Sequence, residues 1–142
     1  MILIIDFGGQ TAHLIGRRVR ELGVSVQIVE PEEALSHAER FTPRGIILSG
    51  GPSSVYAKTG LLVDKKIYGY GIPVLGICYG LQDMAHQLGG KVMPGKKKEY
   101  GQAEFYIKKP CTLFAGLSMT QQVWMSHFDQ VVEPPKGAFI TG

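Results

Sequence analysis

The chain has 142 residues, of which 44% are hydrophobic and 19% are charged, and its formal net charge is +3. This length and composition suit one globular domain with its own core, and they exclude disordered, collagen-like and disulfide-stapled proteins. The chain has no apolar run of about 18 residues, no signal peptide at its start and only two cysteines, so we expect a cytoplasmic protein without a membrane span.

Short apolar runs alternate with helical periodicity over the first two thirds of the chain. Uninterrupted β-branched runs are typical of parallel strands that are buried on both faces. Such runs predict strands at residues 2–5, 24–29, 45–49 and 73–77. Helices are predicted at residues 10–22, with Leu14, Ile15, Val19 and Leu22 at helical spacing, from Pro31 to Leu35, at 61–68 and at 81–88. This order predicts right-handed βαβ crossovers and a flavodoxin-like α/β fold, an open and mostly parallel sheet with helices on both faces.

The pattern changes after about residue 91. Lys96, Lys97 and Lys98 form a predicted basic loop, and short strands follow at 103–108, 122–125 and 131–132 without helices between them. These strands predict a small antiparallel addition at an edge of the sheet. Residues 139–142 resemble part of a late strand, and no linker divides the chain into two domains.

Cys78 lies in a Gly-x-Cys-x-Gly frame between a predicted strand and a predicted helix. This is the thiol form of the nucleophile elbow, in which a strained turn presents the side chain outward. Gly76 and Gly80 permit close passage of strand and helix. The helix N-terminus should lower the pKa of the thiol and offer the Tyr79 amide to an oxyanion. A buried structural cysteine is the alternative interpretation. Cys111 has no such frame, and we interpret it as structural.

A second glycine turn, Gly50-Gly51-Pro52, follows the strand at 45–49 and should emerge at the same edge of the sheet as Cys78. It is either a simple tight turn or the source of a second oxyanion donor, the amide of Gly51. Phosphate-binding and metal-binding motifs do not occur, so we expect no metal in this unit.

Several segments together resemble one family. GICYGLQ at 76–82 and LSGGPSSVY at 48–56 resemble class I glutamine amidotransferases. IIDFGGQ at 4–10, KEYGQA at 98–103 and VWMSHFDQVVEPPKG at 123–137 narrow the resemblance to the amidotransferase domains of GMP synthetases. The resemblance implies that residues 1–142 form a single domain of this class.

The resemblance also implies a reaction. Cys78 would attack the carboxamide of L-glutamine, with the Gly51 and Tyr79 amides as the oxyanion hole. Gln82, Ser126 and His127 match substrate-binding positions, and Asp129 could pair with the α-ammonium group. The released ammonia would pass to a synthetase domain or subunit that aminates XMP to GMP with ATP and Mg²⁺, with no nucleic-acid partner. A homodimer through that synthetase part is a further expectation.

Two features depart from the family pattern. Phe128 stands where the family usually has glycine, which could disfavour a positive φ. The downstream His-Pro-Glu motif that supplies the general base and its orienting group is not in this sequence, and none of its four histidines precedes Pro-Glu. We therefore expect a C-terminally incomplete domain with little or no turnover. An amidotransferase for another acceptor and a non-catalytic flavodoxin-like regulatory or binding module remain as alternatives.

Overall fold

A four-stranded parallel sheet forms the centre of the computed structural model, which describes residues 1–57 and 60–142 apart from the side chains of residues 96–99. The strands are β1 Ile2–Ile5, β2 Val26–Val29, β3 Gly45–Leu48 and β4 Val74–Gly76. They lie in the order β2-β1-β3-β4, and each neighbouring pair is parallel. The predicted parallel sheet is confirmed, with its most apolar strands at the centre.

Helices cover both faces of this sheet. The α-helices are α1 Thr11–Glu21, α2 Ala34–Phe41 and α3 Tyr79–Gln87. Alternate residues of a strand point to opposite faces. Gly16 of α1 lies against Ile4 and Ile28, whereas Ala38 of α2 belongs to the buried core cluster that contains Leu3. None of the described helices is long and apolar enough to cross a bilayer.

Helix α1 buries small residues most deeply, and of the predicted apolar stripe only the two β-branched residues are partly buried. Ala12 and Gly16 are its buried residues, while Leu14 and Leu22 are 54% and 80% exposed. A Cβ atom on Gly16 would lie 3.1 Å from the Ile28 Cδ1 atom. The helix therefore lies too close to the sheet for a larger side chain at this position.

The helix predicted at 61–68 is wrong. Only a short 3-10 helix, Lys65–Gly69, forms in this region, and the Asp64 carboxylate accepts from the Lys66 amide at 2.9 Å where it begins. Upstream, the carbonyls of Leu61 and Val63 accept hydrogen bonds from the Tyr79 hydroxyl at 2.8 Å and the Gln87 amide at 2.9 Å. Contacts to α3 thus replace the hydrogen bonds that a longer helix would make.

The predicted antiparallel addition is a separate two-stranded ribbon. Its strands are β5 Lys91–Tyr106 and β6 Thr120–Glu133, which are longer than the predicted short strands and pair only with each other. The register shifts between residues 91 and 92 and between 94 and 99. Pro94 and Gly101 are also unfavourable in the interior of a strand, so the sequence pattern predicts strands that are shorter than β5 and β6. Lys96, Lys97 and Lys98, predicted as a basic loop, lie within the bounds of β5, and their side chains lie outside the described part of the chain.

The last residues form no strand, contrary to the expectation for 139–142. Instead the carbonyl of Thr141 accepts from the amides of Lys108 and Lys109 at 2.7 and 3.1 Å. These two bonds hold the end of the chain beside the segment that follows β5. These two hydrogen bonds do not continue into the regular pairing of two strands.

The connection from β4 to α3, residues 76–80, is called the elbow below, and its backbone lies unusually close to neighbouring backbone. A Cβ atom on Gly76 would lie 2.7 Å from the Leu81 backbone, and one on Gly80 would lie 2.4 Å from the Leu48 carbonyl oxygen. The Gly80 amide donates to the Ser49 carbonyl at 3.0 Å. The elbow is therefore fixed against the end of β3.

Replacing Gly80 by alanine should destabilise the fold. The added methyl group would collide with Leu48 backbone, and overpacking of this kind costs about 1–3 kcal/mol. Gly69→Ala is the matched control, because a Cβ there meets no atom within 4 Å. Urea unfolding followed by circular dichroism measures both free energies of unfolding, and equal values for the two variants would contradict the prediction.

Candidate active site

Cys78 adopts the strained backbone conformation that a nucleophile elbow requires. Its φ is 49° and its ψ is −111°, and among the described non-glycine residues only Thr42 also has a positive φ. Such a conformation costs of order 1–3 kcal/mol and persists only where the surrounding structure imposes it. The fit of Gly76 and Gly80 against their neighbours supplies that constraint. The sequence frame and the backbone geometry agree.

The ionisation of Cys78 differs from the expectation. The helix N-terminus should lower the pKa of the thiol, but burial raises the pKa of Cys78 instead. The side chain is only partly accessible, and a thiolate loses hydration there. Burial therefore opposes the effect that a helix N-terminus has on a neighbouring thiol.

The loops after β1 and β3 meet beside Cys78. The buried Ser49 hydroxyl accepts from the Phe7 amide at 3.2 Å and donates to the Gly50 carbonyl at 3.0 Å. A Cβ atom on Gly51 would lie 2.8 Å from Phe7, and one on Gly50 would lie 3.6 Å from the Cys78 Cβ atom. The glycines thus let the loop after β3 lie directly against the elbow.

A cavity of about 380 Å³ opens where these elements meet. All seven candidate site residues from the sequence line it: Gly51, Cys78, Tyr79, Gln82, Ser126, His127 and Asp129. The other lining residues are Pro52, Ser53, Ser54, Tyr100 and Phe128. The site is therefore formed by four parts of the fold: the loop after β3, the elbow, helix α3 and the β5–β6 ribbon. Cys111 does not line this cavity, and it is exposed.

Two backbone amides are available at this cavity. Tyr79 is the first residue of α3, so its amide has no partner within the helix. Within the described residues, neither the Tyr79 amide nor the Gly51 amide donates to another protein group. The Tyr79 side chain is 2% exposed, its ring centroid lies 4.9 Å from that of Phe7, and its hydroxyl donates to Leu61. The amide is consequently held by a tightly packed residue.

Asp129 connects three walls of the cavity. Its carboxylate accepts from the Tyr56 hydroxyl at 2.6 Å and from the Ser54 hydroxyl, both in the loop after β3. Its backbone carbonyl accepts from the Gln82 side-chain amide of α3 at 2.9 Å. Asp129 and Gln82 are 5% and 6% exposed. The contacts of Ser54 and Tyr56 with Asp129 were not predicted, because more than seventy positions separate them in the sequence.

The four histidines lie in different parts of the fold. His127 lines the cavity, whereas His13, His37 and His86 lie on helices α1, α2 and α3.

Phe128 lies within β6 with an ordinary negative φ, so the backbone there does not require glycine. Its side chain is partly exposed at the cavity wall.

The sequence analysis did not identify Asp83, a buried carboxylate within α3. Asp83 is fully buried, and it accepts from the Tyr68 hydroxyl at 2.9 Å and from the Gln87 amide at 2.8 Å. Burial raises the pKa of Asp83. Across the described residues, no group of three or more histidine, cysteine, aspartate or glutamate side chains could hold a metal ion.

Comparisons with known sequences identify the family. Residues 3–142 match the family described as glutamine amidotransferase class-I. The chain is 52% identical over 136 residues to a glutamine-hydrolyzing GMP synthase from Aquifex aeolicus, and 48% identical over 136 residues to one from Enterococcus faecalis. The alignments cover 96% of this chain but 27% and 26% of those proteins. The chain thus spans about a quarter of the length of these relatives.

Comparisons with solved structures are consistent with this family. A protein from Thermoplasma acidophilum that is assigned as one subunit of a GMP synthase matches with a TM-score of 0.83 and 33% identity, over 95% of this chain and 68% of that one. A glutamine amidotransferase from Thermotoga maritima shares the fold, with a TM-score of 0.75 and 22% identity over 94% of this chain and 62% of that one. The chain therefore belongs to the class I glutamine amidotransferase family.

Proposed function

We propose that this chain binds L-glutamine and releases its amide nitrogen as ammonia for GMP formation, with Cys78 as the nucleophile. The observation that carries the proposal is the strained conformation of Cys78 at a cavity that is also lined by Gly51 and Tyr79, whose backbone amides are available. Strain at a single non-glycine residue is costly, and it is concentrated at functional sites. This argues against a non-catalytic module that merely keeps the fold.

The reaction proceeds in two steps. The Cys78 thiol gives up its proton, its sulfur bonds to the carboxamide carbon, and the carbonyl oxygen takes the negative charge. The carbon–nitrogen bond then breaks, and nitrogen takes a proton and leaves as ammonia. Water cleaves the resulting γ-glutamyl thioester, which yields glutamate and returns the proton to sulfur.

The Gly51 and Tyr79 amides would stabilise the oxyanion. Both lie at the cavity with Cys78, and neither is used by another described group. Backbone donors that are fixed before the reaction need no reorganisation when charge develops, and one such donor typically contributes about 3–4 kcal/mol. The packing of Gly51 against Phe7 and Tyr79 keeps the two donors together.

The amino-acid end of glutamine would bind at the opposite wall of the cavity. Ser126 and His127 on β6 would contact the α-amino and α-carboxylate groups through backbone and side chain. Gln82 would contact the substrate from the first turn of α3 while its Nε2 atom holds the Asp129 carbonyl. Asp129 supplies the negative charge that suits an α-ammonium group.

The names of the relatives favour XMP as the acceptor over the acceptors of other amidotransferases. The Aquifex and Enterococcus proteins are glutamine-hydrolyzing GMP synthases, and the Thermoplasma protein is assigned to one subunit of such an enzyme. We therefore propose that the partner that consumes the ammonia is an ATP-dependent and Mg²⁺-dependent synthetase, present either in the same polypeptide or in a separate one. A homodimer would form through that partner.

Cys78 should react once with a diazoketone analogue of L-glutamine. Intact mass spectrometry should show one adduct per chain, and excess L-glutamine should slow its formation because both molecules occupy the same cavity. Cys111→Ser should behave like the parent chain, and Cys78→Ala should not react. Equal labelling of Cys111, or labelling that glutamine does not slow, would refute the assignment.

The alkylation of Cys78 should require alkaline conditions. Burial raises the pKa of the thiol, so the thiolate forms only as pH rises through a value above the ordinary value of about 8.5. In a Cys111→Ser chain, iodoacetamide rates followed by mass spectrometry should reach half their maximum above that pH. A midpoint below it would mean that the helix terminus outweighs burial.

The 142-residue chain should release ammonia from glutamine at a rate close to that of its Cys78→Ala variant. A thiol with a raised pKa needs a proton acceptor, and the His-Pro-Glu pair that serves the family is not in this sequence. A coupled ammonia assay measures the rate. Steady turnover that Cys78→Ala abolishes would show that another group, with His127 as the first candidate, acts as the base.

A further inference from the structure

The Asp129 carboxylate is held by two hydroxyl groups from a distant loop. Tyr56 donates to Oδ1 at 2.6 Å, and Ser54 donates to Oδ2. Each oxygen of the carboxylate thus has its own donor, so rotation about the terminal bond is blocked. The backbone of the same residue is held by Gln82. Asp129 is therefore held through both its side chain and its backbone.

The carboxylate still has capacity for a ligand. An ionised carboxylate offers about four lone-pair positions, of which the two hydroxyls occupy two. Asp129 lines the cavity and is 5% exposed, so a ligand that reaches it would meet a carboxylate with little contact with bulk water. Charge-assisted hydrogen bonds are strongest in such surroundings.

Tyr56 is suited to orient this group without touching the substrate. Its hydroxyl reaches Asp129, but the residue does not line the cavity. Burial and the Asp129 hydrogen bond raise the pKa of Tyr56, so the phenol keeps its proton and remains a donor at neutral pH. Ser54 reaches the same carboxylate from the cavity wall.

We infer that Tyr56 and Ser54 are positioning residues that aim the Asp129 carboxylate at the α-ammonium group of the substrate and so select α-amino-acid amides. The inference rests on the proposed function, because it needs glutamine in the cavity. If the two hydroxyl groups served only to stabilise the fold, a different result is expected. Their loss would then lower the affinity of every ligand of the cavity by the same factor.

Two ligands that differ only in the α-ammonium group separate these explanations. L-Glutamine and glutaramic acid, which lacks the α-amino group, are titrated calorimetrically into the 142-residue chain carrying Cys78→Ala, so that no thioester forms. The Cys78→Ala chain without a further substitution should bind L-glutamine at least about tenfold more tightly than glutaramic acid. Tyr56→Phe and Ser54→Ala should each reduce this ratio by about threefold to tenfold. Asp129→Asn should bring it close to one.

Tyr70→Phe is the matched control, because the Tyr70 hydroxyl donates to Glu39 at the same distance of 2.6 Å but away from the cavity. It should leave the ratio unchanged, and thermal unfolding checks that every variant is folded. An unchanged ratio in Tyr56→Phe and Ser54→Ala, with L-glutamine still bound, overturns the inference alone. A parent chain that binds no L-glutamine overturns the proposed function and the inference with it.

Discussion

The approach of Gly80 to the end of β3 is the contact on which the candidate site depends. No Cβ fits between Gly80 and Leu48, so the backbone of α3 begins directly against the strand. The chain must turn within residues 76–80 to reach that position, and Cys78 takes the positive φ that the turn imposes. The same turn leaves the first amide of α3 without an intrahelical partner. The position of the thiol and of an available backbone amide beside it thus follow from a single packing constraint.

The packing of Tyr79 links this constraint to the hydrophobic core. Its side chain is buried against Phe7, and burial raises the pKa of its hydroxyl to about 12, so that group remains a donor to the Leu61 carbonyl. The residue next to Cys78 is therefore also one of the largest core residues. Any movement of the Tyr79 amide would disturb the core, which favours a preorganised donor over a mobile one.

The sequence predicts the central sheet and the cavity better than the connections around them. Continuous apolar runs identify β1 and β3, and the glycine frame identifies Cys78, because each depends on neighbouring residues. The hydrogen bonds from Tyr56 and Ser54 to Asp129 depend on the tertiary fold, so no local pattern reveals them. The 61–68 prediction failed for the same reason, since side chains of α3 bind the carbonyls there. The thiol pKa also depends on burial, which the local motif does not encode.

The groups proposed to recognise glutamine and the group proposed to react with it are controlled by different features of the fold. The Gly51 and Tyr79 amides and the Asp129 carboxylate are held by packing and hydrogen bonds, which do not depend on the protonation of Cys78. The thiol is half-buried, and its raised pKa keeps it protonated at neutral pH. On the proposed function, glutamine can therefore occupy the cavity before the nucleophile is activated. Proton removal then becomes the step that decides whether the bound amide is cleaved, because recognition is complete without it.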